Sequence, residues 1–129
     1  MVGLPPDVDL DFLMGRRLNM LEIGPFTFNL CLDRLTTSSN SKDERVRIMV
    51  KTEFSYTLEG KGYAGQADKP ATVAPLIAFL SEEIRDVQRI GRGDISLKFQ
   101  QGGEICIKEG DDGYESYEIF PVEGDILVV

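Results

Sequence analysis

The chain has 129 residues, of which 42% are hydrophobic and 28% charged, and its net charge at pH 7 is −8. Length and composition indicate one folded domain spanning residues 1–129, and the longest apolar stretch, residues 73–80, is too short to cross a bilayer. The acidic balance argues against nucleic acid as a partner, and the absence of histidine removes Ser-His and Cys-His catalytic pairs and a common metal ligand.

The N-terminal region predicts a short helix followed by two strands. Aspartates before position 10 can cap the helix, and Gly15 can end it. Residues 17–23 are predicted as the first strand. Residues 26–32 alternate between apolar and polar side chains, which indicates a half-buried strand with Phe28 in the core.

The middle of the chain predicts two further strands and a connector. Residues 36–43 are polar and predict a loop, while residues 45–58 alternate again with a break near Thr52. Residues 60–65 spell G-x-G-x-x-G, but no helix opens at the third glycine. The dinucleotide motif requires that helix, so we interpret residues 60–71 as a Gly-rich connector and predict no cofactor.

The second half predicts a helix over residues 72–80, with proline in its first turn. Its continuation is ambiguous between one long helix and a strand from Ile84, and we favour the strand. Residues 94–99 and 104–107 predict a hairpin with glycines in the turn. The remaining predicted strands cover residues 114–119 and 126–129.

An offset of 67 residues aligns the two halves of the sequence. Ile23-Gly24 falls on Ile90-Gly91, and Phe28 falls on Ile95. Such self-similarity indicates an internal repeat. We therefore predict an α+β fold in which two copies of a short helix plus antiparallel β-meander, residues 9–59 and 72–129, pack about a pseudo-two-fold axis.

The candidate metal and thiol sites are weak. The spacing of Asp7, Asp9 and Asp11 resembles the start of a calcium loop, but the later ligands are missing. The acidic turn at residues 111–115 is more typical of solvated turn residues than of a cation site. We predict no metal, and we expect both Cys31 and Cys106 to be free thiols in a reducing cytosol.

One aromatic cluster stands out near the end of the chain. Tyr114 and Tyr117 flank Glu115, which indicates either an interaction patch or aromatic residues that fill a sheet face. With no catalytic motif, we predict a non-catalytic cytoplasmic interaction protein, by analogy an antidote to a toxin or an accessory protein. The negative net charge favours a basic protein partner, which it would attract over distance.

Two alternatives remain open. The first is a small-ligand binder or carboxylate-based enzyme, with a site between the two halves that uses several of Asp94, Asp111, Glu115 and Tyr117. The second is a homodimer formed by pairing of the last strand or an edge strand across a two-fold axis.

Several short segments share a pattern: residues 23–26 and 30–33 in the first half, and Phe79-Leu80 with Ile84 and Val87, residues 95–102 and residues 114–119 in the second. Together they resemble a family of small uncharacterised bacterial proteins. Glu82 departs from the glycine that we expect in this family after the Leu-rich helix. The resemblance implies a fold but no activity, so it transfers no catalytic residue to this chain.

Overall fold

The computed structural model describes residues 4, 8–34, 45–110, 116–121 and 126–129. These residues form ten β-strands, a single-turn α-helix and two short 3₁₀ segments. The strands are β1 Arg17–Ile23, β2 Phe28–Asp33, β3 Val46–Val50, β4 Glu53–Leu58, β5 Lys61–Gln66, β6 Ile84–Ile90, β7 Asp94–Phe99, β8 Glu104–Ile107, β9 Tyr117–Phe120 and β10 Leu127–Val128. Helix α1 is Pro70–Val73, and the 3₁₀ segments are Asp11–Leu13 and Ala74–Phe79.

The strands form two five-stranded antiparallel sheets. The first sheet has the order β1-β2-β3-β9-β10, and the second has the order β5-β4-β8-β7-β6. Each sheet therefore takes three consecutive strands from one half of the chain and two from the other. The prediction of an α+β fold built from two helix-plus-meander copies is wrong, because the described residues are mostly β, with 52% in strands and 12% helical.

The strand exchange has a local cause in the backbone. Only Lys51 and Thr52 separate β3 from β4, so the chain leaves one sheet and enters the other without a loop. The N–H of Lys51 donates to the carbonyl of Ser116 at 2.8 Å, and the N–H of Lys108 donates to the carbonyl of Glu53 at 3.2 Å. These bonds extend the β3–β9 and β4–β8 pairs through the crossings.

The sheets also meet where β1 and β6 begin. The N–H of Gly15 donates to Ile84 and that of Ser81 donates to Leu18, at 2.9 and 2.8 Å. An isolated antiparallel bridge joins Arg17 to Glu83 in the same place. The two sheets are therefore linked by backbone hydrogen bonds as well as by side-chain packing.

One apolar core fills the space between the sheets. It contains residues from every strand except β5 and β10, and its largest fully buried side chains include Phe28, Phe54, Phe79 and Tyr117. Phe28 of the first sheet meets Phe54 of the second edge-to-face, with ring centroids 4.9 Å apart. The prediction that Phe28 lies in the core is confirmed, since 1% of it is exposed.

Several local predictions can be compared with these elements. The strand from Ile84 is confirmed as β6. The segment interpreted as a connector contains β5, and the helix predicted over residues 72–80 is instead one α-helical turn followed by a 3₁₀ segment. The predicted loop at residues 36–43 and the acidic turn at 111–115 lie outside the described residues.

Among the residues described, no helix has the length and apolar character needed to cross a membrane.

Candidate functional site

An open cavity of about 510 Å³ lies on the outer face of the second sheet. We call it the charged trough. Its lining residues come from β4, β6, β7, β8 and the β7–β8 turn: Thr57, Arg85, Asp86, Lys98, Phe99, Gly102, Gly103 and Glu104. Sequence analysis identified none of them as a site.

The register of the second sheet places the polar lining residues in one transverse row. Thr57 of β4 is opposite Glu104 of β8, Glu104 is opposite Lys98 of β7, and Lys98 is opposite Asp86 of β6. Side chains in such a row lie on one face, about 5 Å apart. The row therefore alternates negative and positive charge across three adjacent strands.

A β-bulge on β6 adds a fourth charge to the trough. The pairing of β6 with β7 shifts register between Ile84 and Asp86, which leaves Arg85 as the extra residue. Bulges re-aim side chains, and here both Arg85 and Asp86 line the trough. The signal in the sequence is the spacing of the inward residues Ile84 and Val87, which breaks the two-residue period of a strand.

The charges of the trough are only partly neutralised within the protein. Glu104 accepts a hydrogen bond from the hydroxyl of Ser96. Arg85 and Lys98 are both exposed. In the described parts of the chain, neither of them has a carboxylate within 4.0 Å. The trough therefore presents two cations that are available to a ligand.

The floor of the trough is backbone close to the core. A Cβ on Gly103 would lie 2.6 Å from Cε1 of Phe79, so this position accepts only glycine without a shift of the ring. Gly102 beside it has φ of 96°, the left-handed region that the β7–β8 turn requires. The two glycines let the trough reach close to the buried aromatic layer.

The cysteine thiols are poor nucleophiles in this structure. Burial raises the pKa of Cys31 to about 11, and the nearby Glu22 carboxylate, which accepts a hydrogen bond from its Sγ at 3.5 Å, acts in the same direction. The hydrogen bond from Asn29 lowers the pKa of Glu22, so this carboxylate stays charged. Burial also raises the pKa of Cys106. At neutral pH both thiols are protonated, and the prediction of free cysteines is confirmed.

Of the three residues in the predicted interaction patch, the described part of the structure contains Tyr117. Tyr117 is fully buried between the sheets, and its hydroxyl donates to the carbonyl of Gly93 at 2.6 Å. Burial, followed by the charges of Glu109 and Asp94, raises its pKa. Tyr114 and Glu115 lie outside the described residues, so an interaction patch there stays a prediction.

The residues predicted for a site between the two halves do not form a described cleft. Asp94 accepts the backbone N–H of Glu109 at 2.8 Å and lies 3.7 Å from the ammonium of Lys108. Asp111 and Glu115 are outside the described residues. In the ranges that the structure describes, no group of three or more Cys, Asp or Glu side chains could hold a metal ion.

The trough brings together cations, carboxylates, the hydroxyl of Thr57 and glycine backbone. Comparisons with protein-family models, with curated proteins and with solved structures found no match.

Proposed function

We propose that the protein is a non-catalytic interaction protein that binds a polypeptide segment of a partner protein in the charged trough. The observation that carries the proposal is the exposed pair of cations, Arg85 and Lys98, held beside two carboxylates in a cavity of about 510 Å³. A rigid sheet with an ordered row of charges favours recognition of a complementary pattern over chemistry at one atom.

The row of charges indicates the kind of segment that fits. Arg85 and Lys98 provide positions for carboxylates of the partner, and Asp86 and Glu104 provide positions for its lysine or arginine side chains. Over longer distances the net charge of −8 attracts a partner that is basic overall. A basic polypeptide with a few acidic residues therefore matches both the local and the global charge. A cytoplasmic location is part of this proposal.

The ligand site between the two halves has less support. Within the described residues the space between the sheets is filled by one apolar cluster, whereas the trough lies on the outer face. Pockets that bind small ligands are enclosed and mostly apolar, and the trough is open and charged. These features favour a polypeptide as the bound molecule.

The test compares two charge-reversed double variants as baits in lysate of the source organism. R85E/K98E changes the trough, and K61E/K69E makes the same change in charge at exposed lysines outside it. We expect the wild type and K61E/K69E to capture the same stoichiometric partner and R85E/K98E to lose it. With the purified partner, calorimetry should show at least a tenfold weaker Kd for R85E/K98E.

The proposal fails if the R85E/K98E variant binds the partner as tightly as the wild type. It also fails if the wild-type bait retains no stoichiometric partner, because an interaction protein must have one. Circular dichroism of both double variants checks that the sheets are intact, which the exposure of the four side chains leads us to expect.

A further inference from the structure

Strand β5 is an edge of the second sheet, and most of it is exposed. It pairs with β4 on one side, and no strand of the described residues pairs with it on the other. Every residue from Lys61 to Gln66 is exposed except Gly65. An edge strand of this kind offers a row of backbone N–H and C=O groups to any extended chain that approaches it.

The turn before β5 determines which backbone groups point outward. Leu58 and Lys61 pair across two turn residues, Glu59 and Gly60, whose φ angles of 52° and 81° indicate a type I′ turn. In such a hairpin the residues that flank the turn exchange hydrogen bonds, and bonded pairs then alternate with non-bonded ones. The N–H and C=O groups at positions 62, 64 and 66 of β5 therefore point away from β4.

One of these three outward positions is already satisfied inside the protein. The hydroxyl oxygen of Thr72 accepts the N–H of Gln66 at 3.0 Å and lies 3.0 Å from the Gln66 carbonyl. This contact confirms the direction of the backbone groups deduced from the turn. In the described residues, no hydrogen bond from outside the β4–β5 hairpin reaches Gly62 or Ala64.

The usual protections of an edge strand are weak at this point. Proteins block edges with charged side chains, proline or bulges. Here the only charged residue of β5 is Lys61 at its beginning, and the pairing with β4 is regular throughout. At the two outward positions the side chains are the smallest available, those of Gly62 and Ala64, and a Cβ on Gly62 would meet nothing within 4 Å.

We propose that β5 pairs antiparallel with β5 of a second copy of this chain, about a two-fold axis through Tyr63. In that register Gly62 lies opposite Ala64 of the second copy, and both residues have outward backbone groups. Each Gly62–Ala64 pair exchanges two hydrogen bonds, so the interface contains four. The pairing joins two five-stranded sheets into one ten-stranded sheet.

The side chains are compatible with the same register. The two Tyr63 residues form the non-bonded central pair, where cross-strand side chains are closest. Tyr63 is 45% exposed and stacks on Tyr56 with ring centroids 5.1 Å apart, so its ring is already held in place. Lys61 lies opposite Gly65 of the second copy, and no like charges face each other. The strand is therefore complementary to itself.

Net charge makes the dimer sensitive to salt. Two copies that each carry a charge of −8 repel one another, and added salt screens this repulsion. The four hydrogen bonds and one aromatic pair are a small interface, so the dimer is in exchange with the monomer. We expect the dimer fraction to increase with protein concentration and with salt concentration.

The experiment is sedimentation velocity of three proteins over a range of concentrations. In A64P the outward N–H is lost, which an edge strand tolerates in the monomer because β4 does not use it. In A64T the N–H is kept and a larger side chain is added. We expect the wild type and A64T to dimerise and A64P to sediment as a monomer at every concentration. A monomeric wild type, or a dimer of A64P as stable as that of the wild type, overturns the proposal.

Amide hydrogen exchange of the wild type provides a second measurement that does not depend on whether A64P folds. At concentrations where the dimer forms, the amides of Gly62 and Ala64 should exchange at least tenfold more slowly than in dilute protein. The amide of Tyr63, which points toward β4, should change much less. Equal protection of all three amides, or none, contradicts pairing in this register.

Discussion

The outer faces of the two sheets can be compared strand by strand, because both sheets have the same connectivity. On the first sheet two cations contact carboxylates: Arg45 makes two hydrogen bonds to Asp33 at 3.0 and 3.1 Å, and Lys51 contacts Glu118 at 2.7 Å. A third cation there, Arg47, lies over the ring of Phe120, 4.7 Å from its centroid. On the second sheet Lys108 lies 3.7 Å from Asp94, whereas Lys98 has no carboxylate within 4.0 Å among the described residues. The difference shows that the shared backbone leaves the chemistry of each face to its side chains.

The inner faces of the two sheets differ in the sizes of the side chains at matching positions. Phe28 pairs with Val50 in the first sheet, whereas Ile95 pairs with Ile107 at the matching place in the second. The larger ring of Phe28 packs on Phe54, which belongs to the opposite sheet. The first sheet therefore has a large and a small side chain at this pair, and the second sheet has two of medium size. Pairs of similar total volume are compatible with one close-packed core.

The largest expected effect is on the free energy of unfolding, when a side chain of the inner face is removed. F28A should lower the free energy of unfolding by about 3–5 kcal/mol, because it leaves a cavity between the sheets. Its matched control is F26A, since Phe26 is 71% exposed, and it should change stability by less than about 0.5 kcal/mol. I95A should fall between the two. Urea unfolding of the three variants measures this order, and equal effects of F26A and F28A would contradict the placement of Phe28 in the core.

The sequence predicted strands better than it predicted their assembly. Alternation at residues 26–32 predicts that Phe28 is in the core, and the 67-residue offset aligns β1 with β6. Both signals depend on the order of side chains within single strands. The exchange of strands between sheets depends on the two-residue crossing at Lys51 and Thr52. The alternation breaks there, but the break does not indicate that the next strand enters the other sheet. Gly62 and Gly65 made β5 look like a connector, although its edge position is what permits glycine there. The internal repeat stays a prediction.

The trough was harder to predict than the core. Its charges lie on three consecutive strands, and the register of the sheet brings Lys98 and Glu104 together. The bulge at Arg85 has a faint signal in the irregular spacing of inward residues. The tyrosine cluster drew attention to Tyr117 because its type is common at interfaces, but its hydroxyl satisfies a buried carbonyl instead.

A second comparison concerns two glycines of β5, of which one is packed against a core ring and the other is not. A Cβ on Gly65 would lie 2.8 Å from Cε1 of Phe54, whereas Gly62 on the same strand has open space. We expect G65A to lower the free energy of unfolding by about 1–3 kcal/mol through overpacking. G62A should change it by less than about 0.5 kcal/mol. Thermal unfolding of dilute protein measures both, and equal melting temperatures would show that Phe54 can move aside.

Alkaline pH should distinguish the two buried thiols. Folding raises the pKa of Cys31 from 9.0 to about 11, so the unfolded state loses this proton first as pH rises. The stabilisation from the protonated thiol is complete below pH 9 and is lost between pH 9 and 11. C31A should therefore lose less stability than the wild type over this interval. C106A should differ less from the wild type, because Lys108 lowers the pKa of Cys106 and partly offsets burial. Urea unfolding at pH 8, 9, 10 and 11 measures this, and an unchanged slope for C31A contradicts it.

The smallest expected effect concerns the two backbone positions that lead into β1 and β6. Gly15 has φ of 81° and Ser81 has φ of 72°, and each donates its N–H to a carbonyl in an edge strand of the other sheet. The left-handed region suits glycine and strains serine. A Cβ on Gly15 would meet nothing closer than 3.7 Å, so G15S should cost about 1 kcal/mol through backbone conformation alone. S81G should have the opposite sign and stabilise by about 0.5 kcal/mol, because the relief of strain exceeds the added entropy of the unfolded chain. Chemical unfolding of both variants measures the signs. Destabilisation by S81G would mean that the Ser81 side chain contributes more than its strained backbone costs, and that the two sheets begin their edge strands by different means.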